Sequence, residues 1–73
     1  MKKVLVIGGS GFLGSHIADY FSKMNYSVII FDNKKSKWLK KNQKMIVANL
    51  NNLKKLNNAI KSTEIVYHLA AAK

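Results

Sequence analysis

Four apolar runs punctuate the chain: VLVI at 4–7, VIIF at 28–31, MIV at 45–47 and the longer EIVYHL at 64–69. Uninterrupted runs of this kind suit the strands of a parallel sheet covered on both faces. They predict strands over Lys2–Ile7, Ser27–Phe31, Lys44–Ala48 and Glu64–Leu69. Between the first two runs the period changes. Leu13, Ile17, Tyr20, Phe21 and Met24 follow the i, i+4, i+7, i+8, i+11 stripe of a helix packed on a sheet through that face, with Asn25 placed to end it in the left-handed conformation. Leu53, Leu56, Ala59 and Ile60 predict a second helix near 52–61, capped by Asn51 or Asn52. The segment Asn33–Gln43 carries Lys34, Lys35, Lys37, Lys40 and Lys41, with Trp38 and Leu39 as its only large apolar residues. One or two turns of helix are expected there, with Trp38 as a packing anchor.

Strand and helix alternate, and right-handed crossovers then predict an α/β fold: a partial doubly wound parallel sheet of four strands in the order 3-2-1-4, between two helical layers. There is no proline, no low-complexity linker and no repeat at a solenoid period, so no domain boundary is expected within 1–73. The fourth strand would be left as an open edge and the second helix alone on its face. Both features predict marginal stability, self-association through the edge, or a missing remainder.

The four glycines of the chain all fall in the turn after the first run, VLVIGGSGFLGSH at 4–16. The spacing is Gly8-x-x-Gly11-x-x-Gly14, one residue wider at its first gap than the common Gly-x-Gly-x-x-Gly fingerprint. Each glycine has a task if the turn holds a phosphate. Gly8 permits the sharp turn out of the strand, Gly11 lets backbone approach a pyrophosphate, and Gly14 lets the helix lie close to the sheet. The first turn of the helix, with Phe12 and Leu13, then presents backbone N–H groups and the positive end of its dipole to the anion. Asp32 closes the next apolar run, near the ~20-residue offset at which a carboxylate meets the adenosine ribose in dinucleotide sites. Its charge would repel a 2′-phosphate, so NAD is expected rather than NADP, although Lys34 and Lys35 are cations close enough to blur the preference.

GGSGFLGSH at 8–16, FDN at 31–33 and YHLAAAK at 67–73 together resemble the extended short-chain dehydrogenase/reductase family, NAD-dependent epimerases and dehydratases of nucleotide sugars. Ile7 departs from the pattern, which often has a threonine there. The resemblance implies a Rossmann-like NAD(P)-binding domain of which these residues form the N-terminal portion, since family members run several times longer. It places Asn33 beside Asp32 at the cofactor, and Asn49 where an aspartate usually meets the adenine amino group, a contact an amide can make through its oxygen or by donating to a ring nitrogen. Leu50 would lie against the adenine, Leu69, Ala70 and Ala71 would run beside the cofactor, and Lys73 would meet the nicotinamide-side ribose or phosphate. His16 and His68 are expected to serve packing rather than catalysis. The family's Tyr-x-x-x-Lys pair, in which the lysine lowers the tyrosine pKa, is absent: Met24, Ile30 and Ala71 stand four residues after Tyr20, Tyr26 and Tyr67.

Composition narrows the remaining classes. No cysteine is present, which removes disulfides and thiolate metal sites, and no metal is expected from so few histidines and acids. The apolar runs are far shorter than the ~20 residues of a membrane span, so a cytoplasmic protein is expected, with no membrane partner. The net charge of +10 comes from lysine without arginine, against Asp19, Asp32 and Glu64. Base-reading surfaces lean on bidentate arginine, so compositional bias is preferred over specific nucleic-acid binding. Two functions stay open: the NAD-binding part of a nucleotide-sugar epimerase or dehydratase, not competent alone, or a stand-alone dinucleotide-binding or regulatory module without catalysis.

Overall fold

A computed structural model describes residues 2–8, 11–35, 37 and 39–69. Trp38, Ala70, Ala71 and Lys73, singled out above, lie outside the described residues. The elements run β1 (Lys3–Ile7), α1 (Phe12–Lys23), β2 (Ser27–Asp32), β3 (Gln43–Val47), α2 (Leu53–Lys61) and β4 (Ile65–His68). All three strand pairings are parallel and the sheet order is β3-β2-β1-β4, as the crossover rule requires.

The two faces of the sheet make two apolar layers. Val4, Val6, Val28 and Ile30 are buried with Ala18 of α1, while Leu5, Ile7 and Phe31 are buried with Ala59 of α2. This alternation explains why β1 reads as one unbroken apolar run, because neither of its faces meets water. Strand boundaries differ from the sequence expectation by a residue or so, as is usual for element ends.

The packing face of α1 departs from the expected stripe. Ile17 and Phe21 of that stripe pack half-buried against the Val4, Val6, Val28 and Ile30 layer, but the fully buried residues are Gly14, Ser15 and Ala18, and Leu13, Tyr20 and Met24 are at least half exposed. Small residues let the helix axis approach the sheet, whose branched Val and Ile side chains already fill the gap between the layers. Ile17 and Phe21 fill the margin of this contact. Phe21 meets Tyr67 of β4 edge-on with ring centroids 6.1 Å apart, so this margin faces the β4 side. α1 ends as expected: Asn25 has φ 64°, its N–H donates to the Ser22 carbonyl, and Tyr26 N–H donates to the Phe21 carbonyl. That pair of bonds is a Schellman motif. In α2 the cap is Asn52, whose side chain accepts from Lys55 N–H at 3.2 Å, and Leu53 is exposed rather than buried.

No helix forms among the described residues between β2 and β3. Leu39 is exposed and offers no apolar face to hold one. The end of this connection is held by polar groups instead. Gln43 is buried; its Oε1 accepts from Lys40 N–H, and its Nε2 donates to Asp19 Oδ1 at 2.9 Å and to Ser22 Oγ at 3.1 Å. Lys40 Nζ also donates to Asp19 Oδ2 at 2.8 Å.

That Lys40 bond is the main reason the Asp19 carboxyl is held below the usual carboxylate range; partial burial opposes the shift and the Gln43 amide assists it. The carboxyl is thus more acidic folded than unfolded. Its contribution to stability is fully present above the unfolded carboxylate value of about 4 and is lost as pH falls through the lower folded value. Asp19→Asn is expected to destabilise slightly at pH 6, by under about 1 kcal/mol because Lys40 is largely exposed, and to differ less from wild type at pH 2 to 3. Urea unfolding at both pH values tests this; an equal difference at the two would show that the charge contributes nothing.

Candidate functional site

In a parallel sheet every strand delivers its C-terminal end to the same side, and ligands of open α/β sheets bind in the crevice there. The register aligns Ile7 with Phe31 and with His68, and Asp32 with Val47. The residues just after β1, at the end of β2 and just after β3 are thereby brought to one edge. A cavity of about 490 Å³ opens at that edge, lined by Gly8, Gly11, Phe31, Asp32, Asn33, Lys34, Asn49 and Leu50. Its volume lies within the range of small-molecule and cofactor pockets.

The two lining glycines differ in what demands them. Gly8 has φ 82°, a left-handed conformation that a side chain rarely adopts, and its N–H donates to the Phe31 carbonyl at 2.8 Å before the chain turns away. Gly11 is extended, with φ −81° and ψ 179°, and a Cβ placed on it would meet nothing within 4 Å. Nothing described in the chain's own packing requires a glycine at 11. Gly11 lines the cavity, and a side chain there would stand in open space.

Gly11 is also the N-cap of α1, with no side-chain cap and no acidic residue in the first turn. The positive end of the helix therefore meets the cavity without a local carboxylate to offset it, an arrangement that favours an anion. Across the cavity Asp32 supplies the one acidic group among the lining residues, and its Oδ1 accepts from Asn33 N–H at 2.7 Å. Asn49 turns its Oδ1 back to accept from Asn51 N–H at 2.9 Å, closing a turn that leads into α2. That bond takes one lone pair of the oxygen, so the second lone pair and the NH₂ group are the further hydrogen-bonding capacity of Asn49.

Of the residues expected at the site, Gly8, Gly11, Asp32, Asn33, Asn49 and Leu50 converge on the cavity. Phe12, Leu13, Gly14 and Leu69 do not line it. Gly14 is buried in the face of α1 toward the sheet, and Phe12 sends its ring to His16 in an edge-on pair with centroids 4.4 Å apart. Leu69 continues the ladder beyond β4, donating its N–H to the Ile7 carbonyl. Phe31 is an addition that sequence reading assigned only to the core; its place directly before the strand-ending Asp32 was the available signal.

A three-layer parallel sheet with a glycine turn, an unopposed helix N-terminus and a carboxylate at the end of the second strand defines a Rossmann-fold dinucleotide site. The description "NAD dependent epimerase/dehydratase family" matches residues 4–73. The chain belongs to that family, whose cofactor is NAD. Among curated relatives, a UDP-N-acetyl-alpha-D-glucosaminuronate decarboxylase of Bacillus cytotoxicus is 34% identical over 76 aligned positions, covering 96% of this chain and 24% of the relative. A UDP-glucose 4-epimerase of Neisseria meningitidis is 52% identical over 33 residues, 45% of this chain and 10% of the relative.

Among solved structures, a UDP-glucose 4-epimerase of Thermotoga maritima with UDP-glucose superposes with a TM-score of 0.82 at 32% identity, covering 94% of this chain and 24% of that one. A Bordetella bronchiseptica enzyme in complex with NAD gives 0.80 at 26% identity, over 97% of this chain and 25% of that one. The chain thus spans about a quarter of the length of the Bacillus, Thermotoga and Bordetella proteins. Among the described residues no helix is long and apolar enough to cross a membrane.

Proposed function

We propose that this chain is the NAD-binding part of a nucleotide-sugar epimerase or dehydratase and does not complete the reaction alone. The observation that carries the reading is the open Cβ position of Gly11 at the mouth of the cavity, which leaves bare backbone for a pyrophosphate at the N-terminus of α1. Asp32 accepts hydrogen bonds from the adenosine ribose hydroxyls. Leu50 lies against the adenine, and Asn49 meets the adenine edge by accepting from its amino group through the second oxygen lone pair or by donating its NH₂ to a ring nitrogen. Bound NAD would supply the hydride acceptor and donor, and the chain's own residues position it. Proton transfer at the sugar belongs to a Tyr-x-x-x-Lys pair that these 73 residues do not encode. The nucleotide-sugar substrate, like the rest of the nicotinamide-side contacts, is assigned to further polypeptide.

Titration with NAD is expected to shift the backbone amide resonances of Gly8, Gly11 and Asn33 while leaving those of α2 in place. Spectra unchanged at millimolar NAD would overturn the reading. Sedimentation of the same sample tests a related expectation: Val66 and Tyr67 are each 43% exposed on the outer strand β4, and self-association of the isolated chain through this edge is expected.

A further inference from the structure

We propose that Gln43 is a positioning residue of the dinucleotide site: its buried amide ties α1 to β3 and so fixes the glycine end of α1 against the adenine end of the cavity; this rests on the dinucleotide reading above. The two elements that the amide joins are the ones whose other ends border the cavity. Gly11, at the N-terminal end of α1, lines it, and so do Asn49 and Leu50, which follow β3. Gln43 opens β3 opposite Val28, whereas Asp32 at the cavity is opposite Val47, so the join lies about 13 Å from the cavity along the strands.

Both polar atoms of the Gln43 side chain are used in the join. Oε1 accepts from Lys40 N–H, and Nε2, with two hydrogens to give, donates to Asp19 and Ser22 of α1. A buried amide costs stability unless it is partnered, and an apolar residue of similar size would cover the start of β3 as well. What a fully satisfied buried network adds is a single geometry. The helix needs that. Interdigitating large side chains set helix angles, but α1 approaches the sheet most closely through Gly14, Ser15 and Ala18. Phe21 holds its β4 side through Tyr67, and Gln43 holds its β3 side. Asp19 lies eight residues past Gly11, about 12 Å along the helix, so a rotation of about 10° about this hold moves Gly11 by about 2 Å. Binding groups must be kept within about 0.5 Å of their working positions.

The test compares the wild-type chain with Gln43→Met, which keeps the side-chain length and loses the bonds, with Gln43→Glu, and with Gln43→Glu combined with Asp19→Asn. NAD affinity is read by calorimetry, stability by urea unfolding, and the angle of α1 against the sheet by residual dipolar couplings of backbone amides without ligand. Gln43→Met is expected to weaken NAD about tenfold and to rotate α1 by about 10°, with the urea midpoint near that of wild type. Gln43→Glu sets two carboxylates against each other and is expected to weaken NAD at least as much. The double variant exchanges donor and acceptor, since an amide at position 19 donates to a carboxylate at position 43. It is expected to return NAD affinity to within about twofold of wild type, together with the wild-type couplings.

Wild-type affinity or a wild-type helix angle in Gln43→Met overturns the proposal. A loss of affinity that follows the urea midpoint with unchanged couplings overturns it too, because Gln43 would then serve stability alone. If Gln43→Met does not fold, the pair of glutamate variants decides: a folded double variant that binds NAD no better than Gln43→Glu overturns the proposal, and recovery supports it. If NAD binds the wild-type chain and these comparisons fail, the dinucleotide reading stands without the proposal. If NAD does not bind the wild-type chain, the reading itself fails and the proposal with it.

Discussion

Replacing Gly11 by valine is expected to abolish NAD binding while leaving the fold intact. At φ −81° and ψ 179° any L-residue is allowed, and the new side chain would meet no protein atom within 4 Å of its Cβ. The folded chain is disturbed only through the loss of a glycine N-cap, at about 1 kcal/mol or less. For a domain of this size that is a shift of roughly 4–8 °C in midpoint at most. The same branched side chain fills the space where backbone must approach the pyrophosphate. A loss of about 100-fold or more in NAD affinity is expected, equivalent to about 2.7 kcal/mol.

Gly11→Ser sharpens the comparison. A serine can cap the α1 N–H groups, so this variant is expected to be as stable as wild type or slightly more so, yet to bind NAD more weakly. Calorimetric titration read beside thermal unfolding separates the two effects. Wild-type affinity in the valine variant would mean that no phosphate passes over this backbone.

Phe31→Ala is expected to remove cooperative unfolding altogether. Phe31 is fully buried against Leu5, Ile7 and Ala59, and truncation of a buried phenylalanine costs about 3–5 kcal/mol. Small domains sit near the low end of the usual 5–15 kcal/mol of stability, because so much of their surface stays exposed. The loss is thus comparable to the whole. Phe31 also lines the cavity, so NAD binding disappears with the fold. Leu50→Ala provides the contrast: Leu50 lines the same cavity but is 38% exposed, so its truncation is expected to weaken NAD binding while the urea midpoint changes little. A sharp urea transition in Phe31→Ala near the wild-type midpoint would show that the α2-side layer does not hold the sheet together.

What could be read from the chain alone follows from how strongly each feature constrains its residues. Strands covered on both faces must be apolar at every position, so VLVI and VIIF announced themselves and the crossover rule then ordered the sheet. The packing face of α1 is legible only in part: Ile17 and Phe21 of the apolar stripe pack on the sheet, but the closest approach to branched strand residues is made by the small side chains Gly14, Ser15 and Ala18, which an apolar pattern does not mark. The connection after β2 is not legible because its hold on α1 is a polar clip from Gln43 and Lys40 to Asp19 and Ser22, across bonds that span 21 to 24 positions and that no local pattern links.

The site divides in the same way. Gly8, Gly11 and Asp32 were legible because a turn, a close approach and a strand end each restrict residue type at fixed spacing. Tertiary structure alone decided that Phe31 serves both core and cavity and that Lys34, rather than Lys35, stands with Asp32 at the cavity wall. Short-range spacing carries backbone demands, which are local. Which side chains share a cavity depends on how separate strand ends are aligned, and that alignment exists only once the sheet has formed.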